Sequence, residues 1–355
     1  MTSAGSFPQY LRLANPQPLV KTREQETKIG QAIHCLPDAQ NFLQSLKQLH
    51  EQGRRVALLG VPESIGPRGN LGNGGAELGW QAFLQNFLNL QATPAMPIDE
   101  LLLVGDIDCE DLMHEAQDLT AQDAQDLNRL RELCGHIDQR VMQVLSPLFA
   151  AGFEVILIGG GHNNAYPLLT SLYEESGQRC GAVNLDPHAD FRPREGRHSG
   201  NGFSYAYVEG ALAHYHVMSL HEGKNSATSL RQMSEAGFRY HSIHRLYDML
   251  FTEAMEDVAA RAMAWQAPLG IEVDVDAIQQ APASALNFAG VTIPQAYRFV
   301  SQLAELPEVR YLHLAEAAPE RHPAGKDAGM MAAGQLLCEL TLAYLFARER
   351  RPAAR

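Results

Sequence analysis

Apolar residues along this chain fall into short continuous runs separated by amphipathic stretches. RRVALLGVP (54–62) is an apolar run closed by proline, and comparable runs stand at 101–104 (LLLV), 154–159 (EVILIG), 181–186 (GAVNLD), 214–219 (HYHVMS), 269–275 (LGIEVDV) and 309–314 (VRYLHL). Runs of this length bounded by turn-forming residues predict buried strands. Phe42, Leu46 and Leu49 have helical spacing, and helical periodicity recurs near 75–90, 124–149, 163–175, 226–235, 246–264, 293–304 and 328–349. Continuously apolar strands alternating with helices predict a mostly parallel sheet covered on both faces. No Gly/Ser linker, charge run or internal repeat breaks the alternation, so a single domain over 38–355 is preferred to two. Residues 1–37 are rich in Pro, Gln and Thr and poor in periodicity, which predicts an extended arm or cap ahead of that domain.

The 355 residues carry 28 Lys and Arg against 41 Asp and Glu, a formal charge of −13. That sign opposes binding to a nucleic-acid backbone or an anionic membrane surface and suits a small cationic ligand. Hydrophobic residues make up 45% of the chain and charged residues 19%, a composition able to build a large core. The apolar runs are strand-sized, far below the ~20 residues of a membrane span. The first residues lack a basic stretch leading into an apolar core, so the expectation is a cytoplasmic chain. Five scattered cysteines without a CxxC pair predict buried thiols instead of a disulfide framework or a thiolate zinc site.

In a parallel sheet, ligands bind beyond the carboxyl ends of the strands. Three predicted strand ends carry metal-ligand residue types: GGGHNN after 154–159, DPHADFRP after 181–186 and EVDVDAI at the end of 269–275. Alternation along an extended backbone sends Asp186, His188 and Asp190 to one side, and likewise Asp274 and Asp276. His162 follows three glycines, which remove side-chain bulk where a strand turns into a helix. A DxHxD or an Asp pair alone reads more readily as a solvated loop or turn. Their conjunction at three strand ends of one sheet predicts a metal centre. Four carboxylates bring about −4, which two divalent cations neutralise. Oxygen-rich ligation with two imidazoles and no thiolate suits Mn²⁺, with Ni²⁺, Co²⁺ or Zn²⁺ also accommodated. Two such ions sharing a water lower its pKa towards neutrality.

These motifs resemble those of the ureohydrolase family, which includes arginase, agmatinase and formimidoylglutamase, over about residues 54–346. Gly159-Gly160-Gly161-His162 is similar to its GGxH segment, Asp186, His188 and Asp190 to its DxHxD, Asp274 and Asp276 to its DxD, and GVPESIGPRGNLGNGG (60–75) to its early GVPxxxG loop. The resemblance implies a three-layer αβα, arginase-like fold with a mostly parallel sheet of about eight strands. It also implies two Mn²⁺ per chain, one held by His162, Asp186, Asp190 and Asp274 and the other by Asp186, His188, Asp274 and Asp276, with Asp186 and Asp274 bridging. Arginases and agmatinases usually have Asp at Gly161 and His-Gly at Ser199-Gly200. DFRP (190–193), HSGNGF (198–203) and APASALNFAGVT (281–292) are more similar to formimidoylglutamase. Pro187 in place of Ala, Glu272 in place of the Ser of many members, Gly202 in place of Pro, and NNAYP after His162 depart from the family pattern. The same resemblance implies that Glu316 binds the planar nitrogen end of the substrate, and that the chain forms a homo-oligomer, a trimer or a hexamer.

The reaction expected is hydrolysis of an amidine or guanidine C–N bond, with N-formimidoyl-L-glutamate giving glutamate and formamide as the first reading. A urea-releasing arginase, agmatinase or guanidino-acid hydrolase is the alternative. A zinc deacetylase and a catalytically silent metal-binding homologue stand behind these. Glu316 pairs with the amidinium and Asp276 accepts and passes a proton. Arg192 either forks a substrate carboxylate or pairs with Glu195. Asn225 either touches the substrate or caps the following helix, and Ser199 either orients the formimino group or bonds loop backbone. His214, His216, His221, His241 and His244 match no compact ligand spacing and read as strand or surface histidines.

Overall fold

A computed structural model describes residues 6–352. Its sheet contains β1 (Leu11–Leu13), β2 (His34–Cys35), β3 (Val56–Gly60), β4 (Leu101–Ile107), β5 (Glu154–Ile158), β6 (Cys180–Leu185), β7 (Leu212–Leu220), β8 (Arg239–Ser242), β9 (Leu269–Asp274) and β10 (Val309–Ala315). They lie in the order β1-β4-β3-β5-β10-β9-β6-β7-β8, with β2 also beside β4. Every pairing is parallel except that of β1 with β4. The sheet therefore has ten strands where about eight are expected, because the N-terminal arm lays β1 and β2 along the outer edge of β4. The arm's described residues form a strand, a 3-10 turn (Gln17–Leu19), a short helix (Ile29–Ala32) and a second strand.

Alternate side chains of the central strands enter two separate cores. Val155, Leu157 and Tyr311 pack with the helices Phe42–Glu51, Ala124–Ala150 and Ala165–Ser176. Ile156, Ile158, Leu312 and Leu314 pack with Gly79–Phe87, Phe251–Ala264, Ile293–Ala304 and Lys326–Arg348. Burial of both faces is what a continuous apolar strand requires. Local chemistry sets the helix starts: Asp123 accepts from the backbone N–H groups of Gln125 and Asp126, and Thr292 and Gln295 cap each other reciprocally. The periodic stretch 246–264 is two helices, Ile243–Asp248 and Phe251–Ala264, parted where Met249 turns extended (φ −123°).

Among the described residues one apolar feature is longer than strand-sized, and it is a helix. Lys326–Arg348 has the length and composition to cross a membrane, yet 67% of its most apolar window is buried inside the protein. It packs against the helices Gly79–Phe87 and Ile293–Ala304, as a core helix does.

Four central strands, β5, β10, β9 and β6, end level with one another. Leu314 pairs with Ile158, Ala315 with Asp274, and Leu185 with Val273. Residues just beyond these ends are consequently delivered to one patch at the carboxyl edge of the sheet.

Candidate metal centre

His162 leaves β5 through Gly159 and Gly160, whose φ values of +89° and +71° an L side chain adopts only with strain. A Cβ on Gly160 would also fall 2.6 Å from Asn164 Nδ2 and 2.9 Å from both Glu63 Oε1 and Val61 O. The turn is pinned by the buried Glu63 carboxylate, which accepts from the backbone N–H of Gly161 (2.7 Å) and Gly66 (3.0 Å). Asp186 follows β6; its Oδ1 accepts from His188 N (2.6 Å) and its Oδ2 from Asn184 Nδ2 (3.0 Å). Asp274 ends β9 and accepts from Asp276 N at 2.9 Å. Asp190 and Glu316 sit in the left-handed region, at φ +44° and +66°. Such strain in non-glycine residues concentrates at functional positions.

The chain brings six of these residues into two overlapping groups. His162, Asp186, Asp190 and Asp274 offer donor atoms that all lie within 4.8 Å of one another, as do Asp186, His188, Asp274 and Asp276. Asp186 and Asp274 belong to both. His162 Nδ1 stands 3.0 Å from Asp190 Oδ2, 3.2 Å from Asp186 Oδ2 and 3.6 Å from Asp274 Oδ2, aligned with none of them for a hydrogen bond. His188 Nδ1 stands 3.3 Å from Asp276 Oδ2 and 3.4 Å from Asp186 Oδ1.

Charge in the cluster is unbalanced. Burial raises the Asp274 carboxyl well above its ordinary range, and the neighbouring Asp276 and Asp186 add to this. Asp190 is raised by burial and by Asp186. Burial likewise pushes Glu316 up to about 8, against hydrogen bonds from Ser284 and His162 N. Burial would lower the His162 and His188 imidazoles, but the surrounding carboxylates raise both. His162 Nδ1, Asp276 Oδ1 and Glu316 Oε2 are buried with no hydrogen-bond partner. Convergent, unpartnered oxygen and imidazole donors of net negative charge fit a pair of hard divalent cations.

A cavity of about 230 Å³ adjoins the centre, lined by His188, Asp276 and Glu316 and, at its rim, by Arg192, Ser199 and Lys224. Arg192 does not pair with Glu195, whose carboxylate is taken by Arg131 Nη2 at 3.1 Å. Arg192 and Lys224 are exposed, and neither makes an ion pair among the described residues. Asn225 also borders the cavity but does not cap the next helix; Ser226 does, accepting from Ser229 N. Its amide is engaged instead with Ala189 N (2.8 Å), Pro187 O (2.9 Å) and His221 O (2.9 Å), which holds the DPHAD loop in place. Ser199 Oγ accepts from Asn70 Nδ2 at 3.4 Å.

The histidine run lies elsewhere: His216 Nε2 and His241 Nδ1 are 2.9 Å apart, and His214 stacks on Trp265. None of these histidines enters a ligand group among the described residues. Lys224, Tyr311 and His313 were not marked by the spacing of motifs. Only the alternation of side chains along β10, which puts Tyr311 and His313 on one face, hinted at the last two.

Fold and site together define a three-layer αβα protein with a candidate dinuclear centre at the carboxyl edge of its sheet. The chain belongs to the Arginase family, whose profile matches residues 54–343. It is 28% identical over 182 residues to formimidoylglutamase of Macrococcus caseolyticus (strain JCSC5402), a match covering 50% of this chain and 57% of that one. The chain spans about half the length of the curated relatives it matches. Its fold is similar to that of formimidoylglutamase from Bacillus subtilis, with a TM-score of 0.73 at 16% identity over 94% of this chain and 95% of the other. It is also similar to that of Trypanosoma cruzi formiminoglutamase with Mn²⁺, with a TM-score of 0.69 at 17% identity over 92% of this chain and all of the other (100%).

Proposed function

We propose that this chain is a binuclear, Mn²⁺-dependent hydrolase of an amidine C–N bond that converts N-formimidoyl-L-glutamate and water to glutamate and formamide. The observation that carries this reading is the pair of donor groups sharing Asp186 and Asp274, beside a cavity with unpaired cations at its rim. The formimidoylglutamase names of the matched relative and the structural neighbours, one of them solved with Mn²⁺, support it. His162, Asp186, Asp190 and Asp274 would hold one ion, and Asp186, His188, Asp274 and Asp276 the other. Bound there, the ions supply an activated water at neutral pH.

The chain's own groups do the rest. Glu316 Oε1 accepts from His162 N at 3.0 Å, which leaves the unpartnered Oε2 to accept an N–H of the substrate amidinium. The Asp276 Oδ1 atom is likewise free to take a proton from the attacking water and return it to the departing nitrogen. Protons balance: the amidinium and water give formamide and the ammonium of glutamate. Arg192 and Lys224 receive the substrate carboxylates, and Ser199 lies where it can meet the formimino group.

The test is a panel of formimidoylglutamate, arginine, agmatine, guanidinobutyrate and guanidine with the Mn²⁺-loaded chain. Formamide release from the first is expected. Two bound ions with no hydrolysis of any member would end the enzyme reading, and urea release from a guanidino compound would replace the substrate. The same reading carries the expectations of a trimer or hexamer, measurable by light scattering, and of cytoplasmic residence, measurable by cell fractionation.

A further inference from the structure

Beneath the centre, on the sheet face that carries Asp274, lies a polar chain sealed from water. His162, Glu272, Tyr311 and His313 are each 0% exposed. Glu272 Oε2 lies 3.3 Å from His162 Nε2 and 2.6 Å from His313 Nδ1, while its Oε1 accepts from the Tyr311 hydroxyl at 2.7 Å. No Lys or Arg pairs with this carboxylate among the described residues. A buried carboxylate is costly without partners, and here the Tyr311 hydroxyl and two imidazole nitrogens converge on its two oxygens. Room for one of them depends on Gly270, the register partner of Tyr311. A Cβ at that position would fall 2.1 Å from Tyr311 Cζ, so any larger residue would displace the ring that reaches Glu272.

We propose that Glu272 is a positioning residue for His162, fixing its ring and tautomer so that Nδ1 faces the centre, while His313 and Tyr311 fix Glu272 in turn. This rests on the reading of the centre as a metal site. A neutral imidazole has one N–H; given to Glu272 through Nε2, it leaves the Nδ1 lone pair for a cation. Phe203, edge-on to His162 at 5.3 Å between ring centroids, limits the ring from another side. Of the two groups that share Asp186 and Asp274 only the first contains His162, whose other ring nitrogen faces a separate cluster with Glu272 and His313. The effect of Glu272 is therefore confined to one of the two ions.

Calorimetric titration of the full chain with Mn²⁺ tests this, with wild type, E272Q and Y311F compared and folding checked by circular dichroism. The wild type should take two ions. E272Q should bind one of them about 10–100-fold more weakly and the other unchanged, with turnover restored by excess Mn²⁺ at unaltered KM. Y311F should shift the same ion by a smaller factor. Folded E272Q that binds both ions as tightly as wild type overturns the inference. If E272Q does not fold, Y311F decides: unchanged affinities overturn it, and selective loss at one ion supports it. A wild-type chain that takes up no Mn²⁺ overturns the underlying reading of the centre, a result distinct from either.

Discussion

β5 starts at Glu154 and runs out into His162, and carboxylates are buried at both of its ends. At its start, Glu154 meets Arg348 Nε at 3.0 Å, Arg351 Nη1 at 2.8 Å and the hydroxyl of Tyr344. The chain itself supplies the counter-charge there. At the far end, Asp186, Asp190, Asp274, Asp276 and Glu272 have only histidines as ion-pair partners and Glu316 has none, and no Lys or Arg pairs with any of the six among the described residues. One cluster is closed and the other is complete only with charge from outside. A count of buried carboxylates therefore identifies nothing; what identifies a site is the shortfall of cations beside them.

The sharpest break of that contrast is D274N, which removes one charge common to both ligand groups. Activity should fall by more than the roughly 100-fold typical of losing an outer partner of a metal ligand, and metal content by elemental analysis should drop with it. Full activity in D274N would mean that the open cluster is not the working centre. Mn²⁺ at about 100 times the Kd of each site should stabilise the chain by about 2.7 kcal/mol per ion, so about 5.4 kcal/mol for two, read as a rise in Tm, and D274N should gain far less. At the closed end, E154Q should leave Arg351 without its acid while Arg348 keeps Glu100, and lower stability by about 3 kcal/mol in chemical denaturation. Its Mn²⁺ stoichiometry should stay that of wild type; a change would show that the two ends are not independent. The smallest effect is expected at the cavity rim. K224M should raise KM for formimidoylglutamate by about tenfold, or 1.4 kcal/mol of carboxylate binding, with kcat nearly kept. A fall in kcat at unchanged KM would assign Lys224 to another task.

The strands β3 to β7, β9 and β10 are legible because each contains a short, largely apolar run of strand length separated from the next by an amphipathic stretch. β8 is not, since RYHS is short, polar and at an edge, with Arg239 exposed. β1 and β2 escape any periodicity at three and two residues, and only pairing with β4 makes them strands. The six ligand-type residues could be picked out by strand-end position, but the extended alternation expected of them does not hold: 186–190 bends away after β6 with Asp190 left-handed, and Val275–Ala277 is a 3-10 turn, so the side chains converge through turns instead. Alternation within β9 places Glu272 on the face of Asp274, yet its partners Tyr311 and His313 come from a strand that only the sheet order sets beside it. Arg192 sits on a loop and Lys224 at the end of a 3-10 turn (Glu222–Lys224), and their meeting at one cavity is decided by topology. Asn225 has the residue type of a cap, but three backbone groups from the DPHAD loop and its own turn claim its side chain.

The arm that closes β4 has a meaning beyond the shape of the sheet. Leu11–Leu13 bonds the upper part of that strand at 105–107 and His34–Cys35 the lower part at 102–103. Together they occupy backbone groups that would otherwise line an open edge beside LLLV, a ready template for a strand of another molecule. Loss of the arm during synthesis, proteolysis or truncation would therefore be felt first as self-association and poor recovery, before any change at the distant centre.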